Sequence, residues 1–402
     1  MVLNSLSKLK LKKTNSEEGK EDEPVTSQST DDVDEIDSEN QSILLGIISQ
    51  LRPGCDLTKI TLPTFILEKK SMLERITNAF FTPQILLEAN DTEDDVERFL
   101  LIVKWYLSCW HIAPKAVKKP LNPILGEVFG CYWDDLPGGN TSYYLSEQTS
   151  HHPPESSYFY IVPEKKITAD GVIIPRSKFL GNSSAAMMEG LACLTLGERN
   201  NEKYTMTQPN MYCRGILFGK LRYELGDHMI IKCEDTGLEA DIEFKTKGFI
   251  GGNYDAIEGT IFNSKTSEQL YTISGKWNEV MEIEGKDTKK STFYDTSKAV
   301  IYKPKVKLLE KQDHFESRKL WHKTITALDE RDHEAATEEK FKVEEEQRIR
   351  AKERLEKGEE FKPKLFKASG QKAIPFVVKE DFDLDDSPET NTEKLLSLFP
   401  LK

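Results

Sequence analysis

Between Asp94 and Trp110 the apolar residues recur at helical spacing, with Val96, Phe99, Leu100, Val103, Tyr106, Leu107 and Trp110 on one stripe. Thr92 is placed to cap this helix, and Asp94 and Asp95 suit its first turn. The stripe reads as structural core. Further upstream, Ser42 to Leu51 puts Ile43, Leu44, Ile47, Ile48 and Leu51 on one face of a short apolar helix that Pro53-Gly54 stops. Such a face either packs into a core or serves as a mobile lid that covers a cavity or touches lipid. Leu57 to Leu67 reads as extended chain.

From about Gly130 to Tyr302 the period changes from 3.6 to 2. Leu191–Leu196, Tyr204–Thr207, Gly215–Leu225, Met229–Cys233, Leu238–Lys245 and Ala256–Phe262 alternate, separated by Gly, Asn and Asp turns such as Asn200-Asn201. This predicts a large antiparallel sheet, and closure into a barrel is the economical way to remove its edges. A barrel of many strands is too wide for its own side chains to fill, so it should hold a ligand. Beyond it, Ala327 to about Lys357 is charged and strongly helical by propensity, a solvated surface helix. Residues 361–402, punctuated by Pro363, Pro375, Pro388 and Pro400, read as an extended segment wrapping the surface.

Charge alters the picture at one end of the chain. The 402 residues carry a formal net charge of −13. Residues 1–13 hold four lysines, while 14–40 hold eleven acids against Lys20 and almost no apolar side chain. That block cannot bury enough surface to offset its ordering entropy, so 1–40 is expected to be a tail. An acidic chain is a poor nucleic-acid binder, because phosphate-backbone affinity comes from clustered Lys and Arg, and it should not adhere constitutively to anionic membranes. The six cysteines show no CxxC pair or zinc spacing, and read as reduced thiols. The first residues lack a signal-peptide core, and the longest apolar stretch, 99–110, is too short to span a bilayer. A cytoplasmic protein is expected.

Motifs for nucleophilic, phosphate-loop or zinc-hydrolase chemistry are absent from the sequence, so the expectation is no enzyme, no metal and no cofactor. The constellation that stands out is Glu147-Gln148-Thr149-Ser150-His151-His152-Pro153-Pro154. Adjacent histidines are candidate metal ligands, but neighbours in a strand point to opposite faces and share one ion poorly. A pair of imidazoles at a pocket rim suits a phosphate at least as well, and a purely structural turn is the third reading. A second basic cluster, Lys115, Lys118 and Lys119, precedes Pro120-Leu121-Asn122-Pro123-Ile124-Leu125-Gly126-Glu127. On the charged helix Lys340, Glu344 and Arg348 share one face at i, i+4, i+8, with Glu344 able to orient both bases; alone, such a ladder is usually solvated surface.

Taken together, EQTSHHPP at 147–154 and KKPLNPILGE at 118–127 resemble the two signatures of the oxysterol-binding-protein-related family of lipid carriers, over roughly residues 42–380. The resemblance implies an α+β fold: a large near-closed antiparallel β-barrel around an apolar lipid tunnel, with an N-terminal lid, N-terminal helices and a C-terminal helical subdomain. It gives the expected layout as tail 1–40, lid and entry segment 41–71, helical region 72–129, barrel core 130–302, C-terminal helical subdomain 303–380 and tail 381–402, a short member with the lipid-binding domain nearly alone. It also implies transfer of lipids between membranes through one tunnel that holds either phosphatidylinositol 4-phosphate or a second lipid. The head-group ligands then map onto Lys119, Asn122, His151, His152, Lys340, Glu344 and Arg348. The segment Leu62-Pro63-Thr64-Phe65-Ile66-Leu67-Glu68-Lys69-Lys70-Ser71 resembles the phosphatidylserine-carrying branch, with sterol as the runner-up. Ile43, Leu44, Ile47, Ile48, Leu62, Thr64, Phe65, Ile66, Leu67 and Ser71 are therefore the expected lid and lipid-selecting residues. A monomer that touches membranes transiently, peripheral at contacts between endoplasmic reticulum and plasma membrane, is the corresponding expectation.

Overall fold

The structure is a computed structural model, and it describes residues 64–112, 118–216, 221–247 and 252–402. The expected tail, the lid helix with Ile43, Leu44, Ile47 and Ile48, and also Leu62 and Lys115 lie outside the described residues.

The chain enters through a 3-10 turn, Thr64–Ile66, then strand β1 (Leu67–Ser71), helix α1 (Met72–Arg75) and a second 3-10 turn, Ile76–Phe80. Residues 64–66 thus form a turn where extended chain was expected. Helices α2 (Pro83–Asp91) and α3 (Asp95–Ser108) follow. The cap of α3 is Asp94, whose Oδ1 accepts from the backbone of Val96 and Glu97. Thr92 instead ends α2 and donates to the Glu88 carbonyl. The predicted stripe packs inward, and Ile102 and Trp105 are buried as well, because α3 is surrounded by protein on most sides. Arg98 is also buried on this helix, paired with Glu202 by two 2.9 Å hydrogen bonds.

After β2 (Lys119–Leu121), which pairs parallel with β1, fourteen strands among the described residues make one antiparallel sheet. They are β3 (Val128–Leu136), β4 (Asn140–His151), β5 (Pro154–Val162), β6 (Ile167–Phe179), β7 (Ser183–Glu189), β8 (Ala192–Leu196), β9 (Glu202–Met206), β10 (Asn210–Arg214), β11 (Arg222–Cys233), β12 (Leu238–Lys245), β13 (Ala256–Asn263), β14 (Glu268–Lys276), β15 (Val280–Gly285) and β16 (Ser291–Asp295). Between β6 and β11 the wall divides: one end of each strand is bridged by β7–β10 and the other by β8–β9. The stretch 215–225 is accordingly not one strand; β10 stops at Arg214 and β11 begins at Arg222, running on through the predicted 229–233.

Alternation is clean where one face is wet, as in β12, where Leu238, Ala240, Ile242 and Phe244 are buried and their neighbours are not. Strands β4 and β5 are buried on both faces. Inside, Tyr144, Tyr158 and Tyr160 pack on Phe80, with the Phe80 and Tyr160 rings stacked at 4.1 Å. Outside, Tyr143, Leu145, Phe159 and Ile161 are covered by the C-terminal part of the chain. The result is the near-closed barrel around an apolar interior that the sequence implied.

Past the barrel come α4 (Ser317–Leu320), α5 (His322–Asp329) and α6 (His333–Lys357). The single helix expected over 327–357 is therefore two, broken at 330–332 where Arg331 takes a positive φ and Asp332 caps α6 through Ala335 N. Only Ala336 and Gln347 of α6 are buried. Residues 381–402 are more than the expected tail. A short hairpin, β17 (Phe366–Ala368) and β18 (Phe376–Val378), leads to helix α7 (Pro388–Leu398), capped by Ser387, and Leu395, Phe399 and Leu401 are buried. At Gly130 on β3 an added Cβ would stand 2.6 Å from the Phe399 ring and 2.7 Å from Leu401, so this strand has room only for a glycine beneath the C-terminal clamp.

Candidate functional site

Most of the 147–154 motif builds the hairpin that presents its histidines. Glu147, fully buried, accepts the backbone N–H groups of Lys364 and Leu365 and so fastens the C-terminal segment to β4. Gln148 accepts from Ser156 Oγ at 2.6 Å and donates to the Ser150 carbonyl. Thr149 and Ser157 join hydroxyls across the strands, and Ser150 Oγ donates to the Pro153 carbonyl, closing the turn. The His152–Pro153 peptide is cis. His151 is the last residue of β4 and His152 already belongs to the turn, so the strand alternation that would separate them does not apply. Their rings stand side by side, with centroids 4.6 Å apart.

The other basic motif lies against this hairpin. Gly126 N donates to the Gln148 carbonyl and Gln148 N to the Glu127 carbonyl, placing the 118–127 loop beside β4. Glu127 is the hub beneath that loop. Its carboxylate accepts from Ser71 Oγ at 2.5 Å, Ser317 Oγ at 2.7 Å, Trp321 Nε1 at 2.9 Å and Ile124 N at 3.1 Å. Burial still pushes its acid strength down, outweighing the four donors. Ser71 is therefore a brace for the loop, besides capping α1. Lys119 pairs with Leu67 through the β1–β2 ladder and stands exposed, as does Asn122; Lys118 Nζ donates to the Phe65 carbonyl.

Helix α6 supplies the third side. Lys340 is mostly buried and its Nζ meets Glu344 Oε1 at 2.5 Å. Glu344 is close enough to His151 to favour its protonation. Arg348 shares that helix face, but its guanidinium is more than half exposed, 2.6 Å from Glu345 and 3.9 Å from Glu344. The ladder thus forms as spaced, with its far end turned to solvent. Thr64 and Phe65 touch the start of the same helix: Thr64 Oγ1 donates to the His333 carbonyl and the Phe65 ring meets the His333 ring edge-on. Ile66 is buried, and Leu67 packs with Leu121, Ile124 and Trp321.

A residue absent from the sequence-based set joins all three parts. Gln347 Oε1 accepts the Leu125 N–H at 2.7 Å, which leaves the Gln347 amide nitrogen facing His151 Nε2 at 2.8 Å. Nothing in the run EEEQRIR marks it, because the burial that sets it apart from its neighbours comes from the fold. An amide N–H can bond only an unprotonated ring nitrogen, so His151 carries its proton on Nδ1. That atom is buried and has no hydrogen-bond partner among the described residues. Burial, with the neighbouring His152, lowers the His151 pKa to about 4, while Glu344 pulls the other way. The site is thus a set of donors and cations with one unspent N–H, suited to an anionic group. No His/Cys/Asp/Glu group among the described residues has metal-holding geometry. Two surface grooves, of about 470 Å³ between α3 and β14–β16 and about 440 Å³ beside His228 and Asp241, contain none of these residues.

Comparison with known proteins identifies the relatives of this chain. The family model described as "Oxysterol-binding protein" matches residues 46–387. The chain is 60% identical over 402 residues to "Oxysterol-binding protein-like protein OBPalpha" of Candida albicans, covering 98% of this chain and 94% of that one. Among solved structures it resembles the Osh1 ORD domain in complex with cholesterol, at 25% identity and TM-score 0.72 over 85% of this chain and 88% of that one. The Osh3 ORD in complex with PI(4)P from Saccharomyces cerevisiae shares the fold at 22% identity and TM-score 0.65, over 88% of this chain and 92% of that one.

Proposed function

The chain belongs to the oxysterol-binding protein family, and on that premise we propose that it exchanges phosphatidylserine for phosphatidylinositol 4-phosphate between membranes through its single tunnel. The observation that carries the reading is the His151 Nδ1–H, buried and without a partner among the described residues, beside His152 and within reach of Glu344, which holds Lys340. A phosphate oxygen would satisfy that donor and gain a charge-assisted bond from Lys340. Lys119 and Asn122, exposed on the adjoining loop, would take the ring hydroxyls, and Glu344 would orient Lys340. The acyl chains would fill the apolar barrel, where the aromatic rings of β4 and β5 line one side. Occupancy by one lipid excludes the other, so a phosphoinositide gradient can drive the second lipid uphill. The protein acts as a carrier with no bond-making step.

Phosphatidylserine is favoured by the 62–71 segment, of which Thr64 and Phe65 contact His333 at the start of α6, the helix that carries Lys340 and Glu344. The second reading, a sterol in the same tunnel, rests on the cholesterol complex of the Osh1 domain. Incubation with mixed liposomes separates the two: phosphatidylserine removed without sterol supports the proposal, and the opposite result rejects it. Replacing both His151 and His152 with Ala should abolish phosphoinositide exchange; intact transfer would reject the head-group assignment. Work at contacts between endoplasmic reticulum and plasma membrane, as a monomer that touches each bilayer briefly, completes the proposal. Among the described residues no helix is long and apolar enough to cross a membrane.

A further inference from the structure

The barrel interior holds a charged cluster that the head-group site does not use. On β1, Leu67, Lys69 and Ser71 face outward: Leu67 packs under α4–α6, Lys69 Nζ lies 2.9 Å from Asp329 of α5, and Ser71 bonds Glu127. Strand alternation turns Glu68 and Lys70 to the other side. Glu68 is only 7% exposed. Its Oε1 accepts from Arg75 Nη1 at 3.3 Å and lies 3.9 Å from Lys70 Nζ.

Arg75 ends α1, one residue before the turn whose Phe80 packs on the inner faces of β4 and β5. Both Arg75 and Glu68 interact electrostatically with Tyr223 of β11, a strand four places round the wall from β5. Arg75 also acts on Cys109, just beyond α3. The guanidinium is therefore within electrostatic reach of a wall strand and of the end of α3. Two cations face one carboxylate there, and Lys70 and Arg75 each keep part of their side chain open, 34% and 18%. Burial has pushed the Glu68 carboxyl above its ordinary range in spite of both cations. A desolvated ion pair of this kind stabilises a fold weakly, since hydrophobic residues of the same volume serve as well or better.

We propose that Arg75 and Lys70 form a subsite for the phosphodiester of a glycerophospholipid, with Glu68 as the counter-ion that the lipid phosphate displaces. The inference rests on the exchange reading given above. Phosphatidylserine and phosphatidylinositol 4-phosphate differ in their head groups and share the glycerol phosphodiester. The cluster at His151 distinguishes them, whereas the Arg75 subsite binds what they have in common. Arginine's planar fork matches two phosphate oxygens, which a lysine alone would not. Before a lipid binds, Glu68 pairs with both cations and offsets one of their two charges. When a phosphate arrives it takes over Arg75, and the carboxyl that has lost its partner takes up a proton.

The test compares the full-length wild type with Arg75→Gln and Glu68→Gln. Each is incubated with vesicles containing phosphatidylserine or phosphatidylinositol 4-phosphate and re-isolated, and the retained lipid is weighed by mass spectrometry alongside a melting curve. Arg75→Gln should retain about tenfold less of both lipids, the loss of one charge-assisted contact. Glu68→Gln should retain more of both, because the competing anion is gone. A structural ion pair predicts the reverse for Glu68→Gln, so a loss of lipid parallel to that of Arg75→Gln overturns the proposal. So does a loss confined to one lipid. If Arg75→Gln fails to fold, Glu68→Gln decides alone by the direction of its change. Inorganic phosphate in place of vesicles should leave the wild-type melting curve unmoved; a stabilisation that Arg75→Gln removes would assign the subsite to free phosphate and overturn the lipid assignment. Wild type that retains neither lipid overturns the exchange reading together with this one. Wild type that retains both, with variants indistinguishable from it, overturns the subsite alone.

Discussion

Gln347 donates its amide hydrogen to His151 Nε2 across 2.8 Å, and the orientation of that amide is set by the Leu125 N–H on its other end. One glutamine on α6 thus fixes which nitrogen of a histidine on β4 carries the proton. Replacing Gln347 with Met keeps the volume and removes the lock. The expected result is a five- to tenfold weaker retention of phosphatidylinositol 4-phosphate, about 1 kcal/mol for one hydrogen bond, with an unfolding curve little changed. Lipid retention and thermal melting, measured on one preparation, check it.

His151 also sets a pH dependence with a definite sign. Its folded-state pKa, about 4, lies below the ordinary value of 6.5, so the unfolded chain binds the extra proton first as pH falls. Stability of the empty protein should therefore decline as pH drops from about 6.5 towards 4. The phosphate bond through Nδ1–H uses the neutral ring whose Nε2 accepts from Gln347, so it needs no proton uptake at His151. The protein without lipid should melt earlier at pH 5 than at pH 7.5. His151→Gln should flatten that trend, and melting curves at the two pH values read it directly.

Glu127 offers a test of the loop's support. Glu127→Gln keeps one acceptor oxygen and turns an NH₂ group towards buried donors that had faced the other. Leaving such donors unpaired should cost about 3 kcal/mol, read as a lower midpoint of chemical unfolding. Head-group binding should fall with it, because Ser71, Ile124, Ser317 and Trp321 all anchor through that carboxylate.

The last helix carries more of the fold than its proline-rich sequence implied. Phe399 is 1% exposed and lies over Gly130. Phe399→Ala should cost about 3–5 kcal/mol, as for other large-to-small changes in a packed core. Gly130→Ala should destabilise as well, by crowding the same ring. Unfolding midpoints of the two variants, and of the pair together, test whether they share one contact.

Legibility followed the environment of each element. Strand β12 and helix α3 stood out because each presents a periodic pattern, and the ends of β12 were read to the residue. Strands β4 and β5 carry the motif yet show no alternation, since Tyr144 and Tyr160 face Phe80 while Tyr143 and Ile161 face the clamp. The break at Arg331 is a single left-handed residue in a run of good helix formers, invisible to propensity. Ser387-Pro388-Glu389 is a helix-start signal that was outweighed by the surrounding prolines. At the site, the motifs singled out His151 and Lys340 but not Gln347, because its place there depends on a contact made 196 residues away in sequence.

The outer faces of β4 and β5 meet their cover only in residues 365–401, more than two hundred positions downstream. A ribosome therefore completes the whole ring of strands while Leu145, Phe159 and Ile161 still look outward, bare. Vectorial synthesis leaves the nascent barrel with a sticky flank until residues 365–401 have emerged, the interval in which exposed apolar surface invites chaperones or misassembly. The barrel is sealed from outside by a segment made only after all of its strands.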